Sequence, residues 1–191
     1  RKLGTVGPAI AGQQIRIVDP DGNDVPVGDR GEVLIGGPPV MAGYLNNPEA
    51  TAATIVDGWL HTGDVGRLDP DGYLQVVDRI KDMIVTGGEN VYPIEVEQVL
   101  FRHPAVLDAA VIGGKDAKWG ERVVAVVVAD PATQAPSADE IVAWCRERLA
   151  HFKCPRDVHF VTELPRNATG KLLKTELRAQ FTGIEGGVVL R

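Results

Sequence analysis

The spacing of apolar positions changes along the chain and divides it into two segments. Up to about residue 78, short strand-like runs alternate with turn signals such as Asp-Pro-Asp-Gly at 19–22 and 69–72. Pro and Asp favour tight turns, and Gly supplies the positive φ that such turns need. A cap at Asn47 and a first position at Pro48 predict one short helix. Strands at this close spacing predict a small antiparallel sheet or a partial barrel, with strands at 14–18, 32–35, 66–68 and 73–77.

Beyond about residue 82, helical and strand-like patterns alternate. A helix that begins at Pro93 has its apolar positions at helical spacing, includes His103 and stops before Pro104. The run 123–129 is almost wholly apolar, which is typical of a strand covered on both faces. Ser137 and Glu140 have the spacing of a capping box at the start of the next helix. The remaining predicted elements are strands at 106–112 and 158–161 and a terminal helix at 175–181.

These patterns predict an α+β fold in two parts. We expect an antiparallel β subdomain over residues 1–78, followed by a small mixed α/β domain over 83–182 that is long enough to build its own core. The charged segment 79–82 would join the two parts. The tail at 183–191 has no pattern that assigns a structure.

Composition narrows the classes of function. The chain has 191 residues, of which 44% are hydrophobic and 24% charged, and this is ordinary for a globular protein. Twenty basic against 26 acidic residues give a net charge of −6, which disfavours a nucleic-acid partner. The longest apolar run is far shorter than the ~20 residues that a transmembrane helix needs. Two cysteines, Cys145 and Cys154, are too few for a disulfide framework and favour a reduced, cytoplasmic protein.

Two motifs of the first half contain candidates for nucleotide binding. Asp64 follows a Thr-Gly turn, and a carboxylate held there can accept two hydrogen bonds from a vicinal diol such as a ribose. The alternative is that Asp64 only caps the turn. Within the charged segment 78–82, Arg79 could meet a nucleotide at a hinge, whereas the alternative is a solvated linker. Spacing alone leaves both choices open.

Two glycine-containing motifs of the second half are candidates for ligand contact. Gly87 and Gly88 follow a strand-like run, where they permit either close approach to a ligand or a plain hairpin turn. Lys171 ends the loop 165–171. Its ammonium could reach a neighbouring active site and neutralise developing phosphate charge, or it could be an ordinary surface lysine. The four histidines share no metal-ligand spacing, so no metal site is predicted.

The order and spacing of these motifs resemble one family. The matching stretches are HTGD at 61–64, DRIKDMIVTGGENVYPIEVE at 78–97, HPAVLDAAVIGGKDAKWGE at 103–121 and PRNATGK at 165–171. Together they closely resemble the adenylate-forming superfamily, which holds acyl- and aryl-CoA synthetases, luciferases and the adenylation domains of peptide synthetases. GGENVYP is most similar to the fatty-acyl and related CoA ligases. The resemblance covers nearly all of residues 4–181.

The resemblance implies an AMP-forming acid–thiol ligase, which joins a carboxylate to ATP and then passes the acyl group to CoA. Asp64 would bind the ribose hydroxyls of the nucleotide, and Arg79 would also contact the nucleotide. Lys171 matches the lysine that bridges the acyl carboxylate and the α-phosphate during adenylation. Between the half-reactions the C-terminal domain would rotate about the hinge residue Lys81, and the Gly87-Gly88 hairpin would then line the pantetheine tunnel.

The resemblance also implies parts that have no counterpart in residues 1–191, namely the family's phosphate loop, its aromatic-Gly-x-Thr-Glu segment and its acyl pocket. The chain begins at Arg1 without an initiator Met, so we expect it to be the C-terminal portion of an acyl-CoA synthetase and to be inactive alone. ATP, CoA and a carboxylic acid are the implied substrates. Mg²⁺ would accompany ATP on ligands outside this chain.

Other readings of the same motifs stay open. Within the superfamily, the chain could belong to an aryl-CoA ligase or to an adenylation domain that loads a carrier protein. GGENVYP and the lack of an attached carrier domain favour CoA as the acceptor. Outside enzymology, the chain could be a non-catalytic module that binds a nucleotide or CoA.

Overall fold

The computed structural model of the chain describes residues 2–181. The predicted tail at 183–191 and the residue before it lie outside the described residues. By backbone contacts the chain separates into two compact units, Arg1–Lys81 and Asp82–Arg191. This division falls inside the charged segment 79–82.

The first unit is built on an antiparallel sheet, as the sequence predicted. Its strands are β1 (Gly7–Pro8), β2 (Gln14–Val18), β3 (Gly31–Gly36), β4 (Ile55–Val56), β5 (Trp59–Leu68) and β6 (Tyr73–Arg79), and helix α1 (Pro48–Thr54) precedes β4. The strand order is β1-β6-β5-β3-β2, and β4 also pairs with β5. Every pairing is antiparallel. The small core of this unit is formed by Ile17, Val33 and Leu74.

Aspartate side chains close two turns of the first sheet. Asp19 accepts hydrogen bonds from the backbone N–H groups of Asp21 and Asn23 through the same oxygen, each at 2.9 Å. Asp69 makes the two equivalent bonds in the turn that leads into β6. The carboxylate takes the place of a backbone acceptor in such a turn. This explains why the same Asp-Pro-Asp-Gly sequence occurs at both places.

The second unit contains a mixed sheet with helices around it. Its elements are β7 (Ile84–Thr86), β8 (Glu89–Val91), α2 (Pro93–Leu100), β9 (Val106–Asp116), β10 (Gly120–Ala129), α3 (Ala138–Arg146), β11 (Asp157–Phe160) and α4 (Lys174–Phe181). Strand β10 is central: it pairs antiparallel with β9 and β7 and parallel with β11. The β7–β8 hairpin extends the sheet. The unit thus confirms the predicted α+β class.

Strand β10 is covered on both faces, as its apolar run predicted. All residues from Val123 to Val128 are at most 7% exposed. Alternate side chains belong to two different cores: Val123 and its odd-numbered partners pack with α2 and α3, and Val124 and its even-numbered partners pack with α4. The period-2 geometry of a strand produces this division. Burying both faces of one strand joins the helices of this unit into a single body.

Helix ends are set by local sequence in both units. The predicted caps are confirmed, because Asn47 accepts the backbone N–H of α1 three residues on, and Ser137 and Glu140 form both bonds of the capping box of α3. The prediction for α2 was one turn too long, since the helix ends at Leu100. Turn-type hydrogen bonds carry the chain from Leu100 to His103. The proline that follows disfavours helical geometry in the residue before it.

Two ion pairs fasten α4 to the rest of the second unit. Lys174 Nζ lies 2.8 Å from Glu97 Oε1, and both side chains are largely buried. The same Glu97 oxygen accepts the backbone N–H of Val111 on β9 at 2.9 Å. Four residues further along the helix, Arg178 Nη2 lies 2.7 Å from Asp82 Oδ1. Helix α4 is therefore bound both to α2 and to the first residue of its own unit.

Candidate functional site

The HTGD motif lies in a wide bulge of β5. Between two regular pairs of β3 and β5, one residue of β3, Val33, faces three residues of β5, 62–64. Gly63 has a φ of +68°, which a glycine adopts without strain. The prediction of a simple turn was therefore wrong, because the motif continues a strand with extra residues inserted. Bulges change the direction of a side chain next to a site without ending the sheet.

A glutamate of the neighbouring strand holds this bulge. Glu32 Oε1 accepts the backbone N–H of Gly63 at 3.1 Å, and Glu32 Oε2 lies 3.0 Å from His61 Nδ1. Thr62 Oγ1 donates to the carbonyl of Val33 at 2.7 Å and accepts the N–H of Asp64 at 3.1 Å. The N–H groups of the bulge are thus held by Glu32 and Thr62, which argues against Asp64 as the cap of its own turn.

Asp64 and Arg79 lie side by side at the end of this sheet. They are register partners on β5 and β6, and Arg79 Nε lies 3.0 Å from Asp64 Oδ1. The side chains are 28% and 49% exposed, so both are accessible to a ligand. The sequence predicted that the backbone holds this carboxylate, whereas in the structure it pairs with Arg79. The pair can offer a diol an acceptor and a phosphate a cation from one place.

Lys81 is the last residue of the first unit. It lies in a single 3₁₀ turn, Ile80–Asp82, directly after β6, and its side chain is exposed. The next residue, Asp82, is bonded within the second unit to Arg178.

Gly87 and Gly88 form the two-residue turn of the β7–β8 hairpin. Both have positive φ, +61° and +85°, which fits the primed turns that join antiparallel strands most readily. The N–H of Gly87 donates to the carbonyl of Trp119 at 2.9 Å. A Cβ at Gly87 would lie 2.8 Å from the Trp119 ring, whereas a Cβ at Gly88 would meet nothing within 4 Å. The hairpin is therefore closed against an exposed tryptophan on one side and open on the other.

Lys171 is exposed at the end of a loop that folds back on itself. Arg166 and Leu172 form an isolated antiparallel bridge across the base of the loop. The N–H of Asn167 donates to the carbonyl of Lys171 at 2.9 Å, and the Asn167 side chain accepts the N–H of Lys171 at 2.9 Å. Sequence reasoning singled out the lysine but not the residues that hold its backbone. The signal of Asn167 was present, since Asn side chains commonly bond the backbone of a turn.

The described residues offer little other chemistry. Among them no group of three His, Cys, Asp or Glu side chains could hold a metal ion. Burial raises the pKa of the Cys145 thiol to about 12, so it is not a thiolate nucleophile near neutral pH. No helix in the described part of the chain is long and apolar enough to cross a membrane.

The structure brings together only some of the predicted site residues. Asp64 and Arg79 form one pair in the first unit, with Lys81 two residues beyond β6. Gly87-Gly88 and Lys171 belong to the second unit, where they lie on a hairpin and on a separate loop before α4. The first unit therefore contains an accessible Asp–Arg ion pair, and the second unit contains two exposed turns that are held by hydrogen bonds to their backbone.

Comparison with known proteins relates both units of the chain to one family of enzymes. A model of the AMP-binding enzymes matches residues 1–45, and a model of the AMP-binding enzyme C-terminal domain matches residues 95–171. A feruloyl-CoA synthase from Amycolatopsis sp is 48% identical over 180 residues, which are 94% of this chain and 36% of the relative. The chain thus spans about a third of the length of the curated relatives that it matches.

Solved structures agree with the family models. The ATP-bound structure of MatB from Rhodopseudomonas palustris matches with a TM-score of 0.88 at 41% identity, over 94% of this chain and 36% of that one. The o-succinylbenzoate CoA synthetase from Bacillus subtilis, in complex with its acyl-adenylate intermediate, matches with a TM-score of 0.84 at 42% identity, over 98% and 37%. The chain belongs to the adenylate-forming, or AMP-binding, enzymes and includes the C-terminal domain of that family.

Proposed function

We propose that the chain is the C-terminal portion of an ATP-dependent acyl-CoA synthetase. In the first half-reaction a carboxylate oxygen attacks the α-phosphorus of ATP and pyrophosphate leaves. In the second, the thiol of CoA attacks the acyl carbonyl, loses its proton and displaces AMP. The observation that carries the proposal is the accessible Asp64–Arg79 pair beside the HTGD bulge, in a chain of the adenylate-forming family.

The Asp64–Arg79 pair would bind the nucleotide. One carboxylate accepts the two ribose hydroxyls, which donate to it, while the guanidinium beside it attracts the phosphates. Glu32 holds the bulge from which Asp64 projects, so the acceptor is positioned before the nucleotide arrives. Preorganised polar groups of this kind avoid the cost of reorienting dipoles during the reaction.

Lys171 would stabilise the transition state of adenylation. Negative charge builds up on the α-phosphate as the carboxylate attacks, and a nearby ammonium lowers the free energy of that state. The Lys171 side chain is exposed, and no described residue pairs with its ammonium. A lysine with no charge partner of its own is suited to engage a phosphate and a carboxylate together.

The Gly87-Gly88 hairpin would take part in the second half-reaction. A turn without side chains leaves room for the narrow pantetheine arm of CoA, and the open space at Gly88 is consistent with that role. Exchange of the Lys171 loop for this hairpin requires the second unit to turn about Lys81. Rotation about a few hinge dihedrals is the usual way in which one domain serves two steps.

The acid substrate has two candidate classes. GGENVYP favours a fatty acid, whereas the names of the feruloyl and o-succinylbenzoate enzymes favour an acid that carries an aromatic ring. Initial rates with a panel of fatty and aromatic acids would decide between them. The Mg²⁺ that accompanies ATP would be held by ligands outside this chain. We place the reaction in the cytoplasm, consistent with two free buried cysteines.

Replacement of Lys171 tests the proposal in the complete ligase. Lys171→Ala should lower the rate of acid-dependent ATP–pyrophosphate exchange by on the order of 10²–10³, because one charge-stabilising donor is lost. Thioester formation from preformed acyl-adenylate and CoA should keep its rate, since that step does not use the lysine. Lys115→Ala, another exposed lysine of the same unit, is the matched control and should leave both rates unchanged.

Two results would contradict the proposal. Equal loss of both half-reactions in Lys171→Ala would argue against separate roles for the loop and the hairpin. Acid-dependent ATP–pyrophosphate exchange by the 191-residue chain alone would show that this chain needs no further segment for adenylation. If the complete protein bound ATP or CoA with no acid-dependent exchange, the non-catalytic binding module would replace the ligase.

A further inference from the structure

The loop that carries Lys171 is held by one asparagine side chain. Asn167 Oδ1 accepts three hydrogen bonds: from Thr169 N–H at 3.1 Å, from Thr169 Oγ1 at 2.8 Å and from Lys171 N–H at 2.9 Å. Gly170 N–H donates to the Asn167 carbonyl at 2.9 Å. Residues 166–171 of this loop are all exposed, yet its backbone is bonded at both ends and in the middle.

Arg166 fastens this loop to the sheet. Its Nη2 donates to Asp108 Oδ2 at 2.6 Å, and its Nη1 donates to the carbonyl of Gly170 at 3.1 Å. The other oxygen of Asp108 accepts the N–H of Ala109, a buried residue of β9, at 2.9 Å. A chain of polar contacts thus runs from β9 through the Arg166 fork to the residue immediately before Lys171.

These contacts fix the backbone at Lys171 but leave its side chain free to move. The Lys171 ammonium has no partner among the described residues, so its position is determined by where the loop holds the Cα. A lysine side chain has many rotamers, and each added backbone freedom would widen the space that the ammonium samples. An ordinary surface lysine would need none of this support. An isolated exposed ion pair such as Arg166–Asp108 also contributes little to global stability.

We propose that Arg166 and Asn167 are positioning residues for Lys171 in the adenylation half-reaction. The proposal rests on the proposed function, since it assigns the purpose of the loop to the step that Lys171 serves. Arg166 sets the distance of the loop from β9 through Asp108, and Asn167 sets the backbone geometry at the lysine. Neither residue needs to touch the substrate.

The half-reactions of the complete ligase provide the test. Arg166→Ala and Asn167→Ala should each lower kcat of acid-dependent ATP–pyrophosphate exchange by roughly 10–100-fold, because small misplacement of a catalytic group is costly. The KM for ATP and the rate of thioester formation from preformed acyl-adenylate should not change. Arg166→Lys should retain part of the exchange rate. The double variant Arg166→Asp with Asp108→Arg, which exchanges the two charges, should have a higher ATP–pyrophosphate exchange rate than either Arg166→Asp or Asp108→Arg alone.

A readout of the loop itself accompanies the kinetics. Amide hydrogen exchange in Asn167→Ala should rise at Thr169 and Lys171, whose N–H groups lose their acceptor, with the urea midpoint of the protein unchanged. Two controls remove comparable groups elsewhere: Asn23→Ala acts in another exposed turn, and Arg148→Ala removes another exposed ion pair. Both controls should keep wild-type rates in both half-reactions.

The outcomes separate this inference from the proposed function. Wild-type exchange in Arg166→Ala and Asn167→Ala, with Lys171→Ala impaired, overturns the positioning role alone. Wild-type exchange in Lys171→Ala removes the proposed function and the inference with it. Equal losses in both half-reactions together with a lower urea midpoint would also overturn the inference, because the residues would then serve folding only.

Discussion

At the scale of single residues, two adjacent glycines show how much a sequence can reveal. The pair Gly87-Gly88 was compatible with a hairpin turn or with close approach to a ligand, and the structure has the turn, with positive φ at both positions. The sequence could not show that the ring of Trp119, more than thirty positions away, lies against Gly87 and not against Gly88. Neighbouring residues specify the local backbone conformation. The contact that distinguishes the two glycines depends instead on where the connection between β9 and β10 places Trp119.

The two glycines should therefore respond differently to alanine. Gly88→Ala should destabilise the chain by about 1–2 kcal/mol, the cost of a Cβ in the left-handed region. Gly87→Ala should cost more, because its Cβ must also displace the Trp119 ring. Urea unfolding of the two variants measures the difference. Equal losses of stability in the two variants would mean that the Trp119 ring moves aside freely. In that case the stability loss of the double variant Gly87→Ala with Trp119→Ala should equal the sum of the two single losses.

At the scale of elements, predictions held where the pattern was local and failed where it was not. The apolar run of β10 and the caps of α1 and α3 were predicted correctly, since each is specified within a few residues. The extent of β5 was not predicted. Its bulge is held by Glu32, which precedes Gly63 by 31 positions and belongs to another strand. The same limit applies to Asp108, whose contact with Arg166 spans 58 positions.

The packing of β11 against α4 predicts a dependence of stability on pH. His159 of β11 is fully buried and stacks on Phe181 of α4, with ring centroids 4.7 Å apart. Neither of its ring nitrogens has a hydrogen-bond partner in the described part of the chain. Burial lowers the pKa of His159 below its ordinary 6.5; Asp157 opposes this shift and Arg122 adds to it. The folded state therefore holds the neutral ring, and the unfolded state takes up a proton first.

The sign follows from proton binding. Below pH 6.5 the unfolded chain binds more protons than the folded chain, so the free energy of unfolding should fall between pH 7.5 and 5.5. One proton contributes at most about 1.4 kcal/mol per pH unit. Burial also lowers the pKa of His103, which adds to the same slope.

A variant isolates the contribution of His159. His159→Phe should flatten the dependence, leaving the part that comes from His103, whereas His151→Asn, at an exposed position, should leave the slope as it is. Urea unfolding at several pH values in this window measures the slope. An unchanged slope in His159→Phe would show that the buried ring is not the group that titrates.

At the scale of the whole molecule, motif order predicted more than any single residue could. Taken singly, Asp64 could cap a turn and Lys171 could be an ordinary surface lysine. Only the order and spacing of the motifs that contain them, together with GGENVYP, identified the family. Their contacts came from the fold: Arg79 pairs with Asp64, Asn167 bonds the backbone of Lys171, and Arg166 bonds the carbonyl of the preceding residue. The family could be identified from the sequence because its motifs keep a fixed order and spacing, whereas the contacts around them depend on how distant segments fold together.

The division of the chain at Lys81 leads to the last prediction. Lys81→Pro should hold φ of residue 81 near −65° and, because the residue before a proline avoids helical geometry, should also take Ile80 out of its 3₁₀ turn. In the complete protein, the half-reaction that uses the 3₁₀ geometry should fall by on the order of 10²-fold because the reacting groups are misplaced, and the other should keep its rate. Lys81→Ala leaves the dihedrals free and should retain both. ATP–pyrophosphate exchange and thioester formation from acyl-adenylate, measured separately, decide the matter. Equal rates for both half-reactions in Lys81→Pro, whether normal or reduced, would show that the chain does not turn at this residue.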